Sequence, residues 1–103
     1  MRLRLWALFA LVGLAAACGP VQSTAYLIDA DVQLEAARTA QADKFAPYEW
    51  TSANLYIHKA REEVGYSDFE QAVTYAQKAA KFASAARDMA MKSVRKDDLP
   101  ANP

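Results

Sequence analysis

From about Thr24 onward, apolar side chains recur at alternating steps of three and four, which is the period of a helix with one buried face. Between about Thr24 and Lys44 there is neither glycine nor proline, and Leu27, Ala30, Leu34 and Ala37 share a face. Phe45-Ala46-Pro47 interrupts this pattern, and Pro47 suits the first turn of a new helix because it lacks the N–H that would be unpaired there anyway. A second helix is predicted from about Pro47 to Val64, with Ala53, Ile57, Ala60 and Val64 on one side and Gly65 expected as the left-handed residue that ends it. Ser67-Asp68-Phe69-Glu70 then fits a capping box, with the Ser67 hydroxyl accepting from the Glu70 amide. Behind it, Phe69, Ala72, Ala76, Ala79, Ala83, Ala86 and Ala90 form an unbroken seam, and Lys92, Arg95 and Lys96 complement the negative helix end.

No strand pattern of comparable strength occurs. The reading is an all-α fold, a small antiparallel three-helix unit with an alanine-rich core over residues 24–96, followed by a flexible tail at 97–103. The short link at Gly65-Tyr66 makes antiparallel packing of the last two helices the economical arrangement. Alanine lets helix axes approach closely but buries little area per position. Phe69, Ile57, Leu34, Tyr75 and Trp50 are therefore expected to supply most of the burial.

The N-terminal segment has a different organisation. Met1-Arg2-Leu3-Arg4 is positive, Leu5 to Leu14 is almost wholly apolar, and Ala15-Ala16-Ala17 precedes Cys18, the sole cysteine. This is the layout of a secretory signal peptide over residues 1–17. Its apolar run falls short of the roughly 20 residues of a membrane-spanning helix. A small-residue triplet ending at one cysteine resembles the lipobox of bacterial lipoproteins, although Ala15 stands where leucine is usual. The resemblance implies a diacylglycerol on the Cys18 thiol, cleavage before Cys18 and acylation of the new amine, with palmitate among the chains. Gly19 to about Ser23 contains Pro20 and no periodicity, so 18–23 is expected to be a short lipidated tether. Gly19 follows the cysteine in place of the aspartate that retains Gram-negative lipoproteins in the inner membrane, so the resemblance implies an outer-membrane anchor facing the periplasm. Each buried acyl methylene contributes about 0.8 kcal/mol, and two or more chains hold a protein stably.

Composition narrows the function classes. The chain has 103 residues, 12 basic and 12 acidic side chains, and so room for one small domain. Loss of Arg2 and Arg4 with the leader leaves a slight acidic surplus. Basic residues alternate with acids, which speaks against nucleic-acid binding.

Two family resemblances follow from the helical motifs. Gly65 to Ala72, continuing Tyr75-Ala76-Gln77-Lys78-Ala79, is similar to the second half of a tetratricopeptide repeat and implies a helical hairpin in the C-terminal part. A wider pattern covers about residues 24–91: the alanine-rich first helix, Ala46-Pro47 with Glu49, Ala53, Ala60-Arg61 and the Ser67–Ala72 turn. It resembles the family of domain of unknown function 4398, which implies a small bacterial envelope lipoprotein but carries over no functional residue.

The chemistry of the chain is sparse. His58 is the only histidine, with Asn54 and Glu62 one turn to either side, and nothing completes a metal site. Glu62 and Glu63 are adjacent and so point about 100° apart on a helix. No nucleophile stands beside a base and no glycine-rich phosphate loop is present, so neither catalysis nor a cofactor is expected.

Aromatic residues carry the remaining signal. Tyr48, Trp50, Tyr56, Tyr66 and Tyr75 gather around the second helix. One reading is core, with Tyr48, Leu55 and Tyr56 packing opposite Ala53 and Ile57. The other is a partner surface built on Tyr48, Trp50 and Tyr56, since tyrosine and tryptophan are enriched in binding hot spots. Two functional expectations result. One is a non-catalytic, lipid-anchored adaptor or scaffold for periplasmic or outer-membrane partners. The other is a self-associating envelope lipoprotein, a homo-oligomer whose alanine seam closes on a second copy.

Overall fold

Helix dominates because alanine, leucine, lysine, glutamate and glutamine fill the chain and glycine is nearly absent after Gly19. The computed structural model describes residues 1–98, with the side chains of 15–17 and 98 left aside. It contains helices α1 (Arg2–Thr39), α2 (Ala42–Phe45), α3 (Pro47–Gly65) and α4 (Phe69–Asp98), and every regular element among the described residues is helical. The last part of the expected tail, 99–103, lies outside the described residues, whereas Asp97 and Asp98 extend α4.

The packing is up, down, up. Gly19 meets Phe69, Ala30 and Leu34 meet Ala79 and Ala83, and Ala37 clusters with Ala86 and Ala90, so α1 and α4 run parallel. Asp31 pairs with Arg61 and Arg38 lies over Trp50, so α3 runs antiparallel to α1. Helix α4 packs along both neighbours, while α1 and α3 touch each other less. Below Cys18, α1 projects beyond the bundle as a single exposed helix.

The core is built from alanine. Of the fourteen buried hydrophobic side chains among the described residues, twelve are alanines, and Leu34 and Ile57 are the other two. Ala72, Ala76, Ala79, Ala83, Ala86 and Ala90 are wholly buried, as the seam predicts. Phe69, Tyr75 and Trp50 are only half-buried and Leu55 is exposed, so the large side chains flank the core instead of filling it. The physical reason is room: where alanine lets two helix axes close up, no space remains between them for a ring.

The α4 seam is covered by α1 and α3 of the same chain.

Three local expectations also change. First, the predicted helix from Thr24 to Lys44 breaks at Ala40 and Gln41. Gln41 adopts a left-handed φ of 61°, and α2 is a separate single turn whose Ala42 is buried in the upper core. Second, residues 18–23, expected as a tether, take regular structure. They are helical within α1, and Ser23 is buried with its hydroxyl donating to the Pro20 carbonyl at 3.0 Å.

Third, the α3–α4 turn uses different residues from those the motif pointed to. Gly65 is the last helical residue of α3, and no glycine has a positive φ. Ser67 is the left-handed residue, at φ 61°. Its amide donates to the Val64 carbonyl at 3.0 Å and the Asp68 amide donates to the Glu63 carbonyl at 2.9 Å, the paired bonds of a Schellman motif. With Ser67 so occupied, the N-terminal cap moves one residue on: Asp68 Oδ1 accepts from the Gln71 amide at 3.1 Å. At the other junction the expectation stands, with Pro47 in the first turn of α3 and Ala46 outside the helical region before it, at φ -142° and ψ 60°.

Candidate functional site

Two places on this scaffold carry features beyond packing. One is the junction at Cys18. Side chains from Leu3 to Leu14 are exposed, Cys18 is exposed, and its thiol donates weakly to the Leu14 carbonyl at 3.6 Å. The alanine triplet before it falls among the side chains not described. Packing begins one residue later: the outward position of Gly19 lies 3.2 Å from the Phe69 ring, a distance reckoned to an added Cβ. Pro20 sits inside α1, and its carbonyl accepts from both the Ser23 and Thr24 hydroxyls. The Cys18 end of the packed body is thus the end that carries the α3–α4 turn.

The other place is an aromatic row across α3 and α4. Tyr56 stacks on Phe82 with ring centroids 5.6 Å apart and planes 8° from parallel. Tyr75 lies 5.9 Å from Tyr56, and Tyr48 meets Phe82 edge-on at 6.2 Å. The Lys78 ammonium stands 5.4 Å from the Tyr56 ring centroid, within cation–π range. Beside these rings lies a groove of about 540 Å³ lined by Tyr56, Lys78, Lys81, Phe82 and Ala85.

The three residues singled out as a partner surface do not share one face. Tyr48 and Tyr56 are eight residues apart on α3 and both reach Phe82. Trp50 lies on the other side of α3, packed against both core clusters with the Arg38 guanidinium 6.0 Å from its ring centroid. Trp50 therefore joins α1 to α3, and Tyr66 caps α3 at the turn, away from the groove. Phe82, Lys78 and Lys81 complete the row in place of Trp50. Their signal was legible as a second stripe on α4, Tyr75-Lys78-Phe82-Ala85, offset from the alanine seam.

A second groove, of about 570 Å³, runs between α1 and α3. Its charges are already matched: Arg61 donates to Asp31 Oδ1 at 2.7 Å, and Arg38 lies 3.6 Å from Glu35. His58 is exposed, and Asn54 is committed to the Trp50 carbonyl at 2.8 Å. Among the described residues, no three His, Cys, Asp or Glu side chains gather as a metal would need.

An alanine-seamed helical bundle with an exposed apolar N-terminal helix segment thus defines the class. The family model described as Domain of unknown function (DUF4398) matches residues 25–99, and the chain belongs to that family. No curated protein and no solved structure matches it.

Proposed function

We propose that the protein is a non-catalytic adaptor of the bacterial cell envelope, held in the outer membrane by acyl chains on Cys18 and facing the periplasm. The observation that carries this reading is the coincidence at Cys18. The side chains from Leu3 to Leu14 and that of Cys18 are exposed, and contact with the bundle starts at Gly19. Removal of residues 1–17 would therefore cost the core nothing that the described side chains provide.

Pro20 supports the same boundary. Inside a continuous helix, proline deletes a backbone bond and crowds the preceding turn, which costs about 3 kcal/mol. In a chain beginning at Cys18 it falls in the first turn, where the missing N–H has no partner to lose. Cleavage before Cys18 turns an unfavourable proline into a tolerated one. Gly19 next to the cysteine is consistent with onward sorting to the outer membrane.

For the adaptor role, the support is the α3–α4 aromatic row, a rigid surface in a molecule otherwise devoted to alanine packing. Labelling of cells with radioactive palmitate tests the anchor. Label on the wild type, its absence from Cys18→Ser, and release of that variant from membranes are expected. A Cys18→Ser form that is still processed and still bound to its membrane overturns the anchor. For the adaptor, photo-crosslinkers at Tyr48 and Tyr56 should give a discrete adduct in living cells, while one at Lys44 should not. Identical patterns from all three positions would remove the basis for a specific surface.

A further inference from the structure

We infer that the α3–α4 groove receives an acidic peptide segment of the partner, with carboxylates on Lys78 and Lys81 and an apolar side chain against the edges of Tyr56 and Phe82. This rests on the adaptor reading and names the chemistry of what it binds.

Charge is the first argument. The groove is lined by two lysines, two aromatic rings and Ala85, with no acidic residue among them. Among the described residues, the ion pairs are Arg38–Glu35, Arg61–Asp31 and Arg87–Asp88, and none involves Lys78 or Lys81. Both lysines are exposed and three residues apart on one helix face, and the ring contact of Lys78 with Tyr56 leaves its ammonium donors able to meet a carboxylate from outside. The α1–α3 groove lacks this property because its arginines are answered within the chain.

Preorganisation is the second. Tyr56 contacts both the Phe82 ring and the Lys78 ammonium, and Tyr48 and Tyr75 pack against the pair. Rings already fixed in place lose little freedom when a partner lands on them. Stacking also covers the ring faces, so an incoming apolar group meets their edges. The recognition is of a side chain beside a carboxylate, not of a flat ligand sliding between rings.

Position separates a peptide from a lipid headgroup, which would satisfy the same lysines. Gly19, next to the proposed anchor, packs on Phe69. Lys78 and Lys81 stand about 14 and 18 Å further along α4 at 1.5 Å per residue. The polar layer of a leaflet is only roughly 5–8 Å deep. A bundle standing on its anchored end therefore holds the groove clear of the membrane, where soluble and loop segments of envelope proteins are found.

The test is selection of a displayed library of random short peptides on the full-length protein in detergent, followed by titration of the enriched peptides. Enriched sequences should combine Asp or Glu with an aromatic residue or leucine. Their affinity should fall roughly tenfold or more with Lys78→Glu/Lys81→Glu, and with added salt. Lys44→Glu/Lys96→Glu, with the same change in net charge elsewhere, should leave it intact. A parallel arm measures binding to phosphatidylglycerol vesicles by the Cys18→Ser protein. The inference is overturned by enriched sequences without acids, by binding that survives reversal of both groove lysines, or by a groove-dependent attachment to vesicles. Because the selection is done in detergent, failure of the anchor leaves its outcome unchanged. Peptides that bind another face would keep the adaptor and dismiss this groove.

Discussion

The turn between α3 and α4 offers the sharpest test of the structure, because two substitutions there have opposite expected signs in the structure and in the bare motif. Gly65 is helical, lacks a positive φ, and has nothing within 4 Å of where a Cβ would stand. Gly65→Ala should therefore stabilise the fold by about 0.5–1 kcal/mol, the ordinary helical difference between the two residues. Ser67 holds φ 61°, a conformation that costs an L-residue roughly 1–2 kcal/mol. Ser67→Gly removes that cost but frees the unfolded chain by about 0.5–1 kcal/mol, leaving a net stabilisation of about 0.5–1 kcal/mol. A change of 1 kcal/mol moves the midpoint of a domain this size by about 4–8 °C, so each variant should melt a few degrees higher. Thermal and urea unfolding followed by far-UV circular dichroism measure both. Were Gly65 the left-handed terminator, alanine there would lower the midpoint by a similar amount. A lower midpoint for Gly65→Ala, together with no gain from Ser67→Gly, would refute the assignment of the turn.

Three further outcomes are expected. Asp68→Ala removes the acceptor for the Gln71 amide and should cost about 1 kcal/mol in urea unfolding, with Glu70→Ala nearly silent because Glu70 is not part of the cap. Ala83→Leu forces a branched side chain into a fully buried seam position and should destabilise by about 1–3 kcal/mol, whereas exposed Ala85→Leu should stay within about 0.5 kcal/mol of the wild type. A double-mutant cycle on Asp31 and Arg61, an ion pair whose side chains are half exposed, should return a coupling of about 0.2–1 kcal/mol that shrinks with added salt.

Periodicity alone carried most of the architecture. Each face predicted from steps of three and four is the buried one: Ala30, Leu34 and Ala37 on α1, Ala53, Ile57 and Ala60 on α3, and the alanines of α4. The reason is that an apolar stripe on a helix has one low-energy destination whatever the neighbour. The helix ends were less legible. Gly65 and Ser67-Asp68-Phe69-Glu70 contain the right residues for a stop and a start, yet the register slipped by one or two positions. Several backbone registers can satisfy the same cap chemistry, and the one adopted is the one that lets α3 and α4 align their alanines.

The candidate site divides in the same way. Cys18, its small-residue approach and the apolar run before them are local in the chain and needed no fold to be read. The aromatic row did need one: Tyr48 and Tyr56 both reach Phe82, Trp50 belongs to the α1–α3 contact, and Lys78 and Lys81 lie beside the rings. Residues from two helices become neighbours through the crossing and the longitudinal offset of those helices, quantities no single-helix pattern contains. Helical character, buried faces and the apolar N-terminal run are short-range properties, settled within a few turns by side-chain chemistry and spacing. Which aromatic rings meet, which lysines stand beside them, and that the α4 seam is buried by α1 and α3 are long-range properties, settled when three helices chose their register against one another.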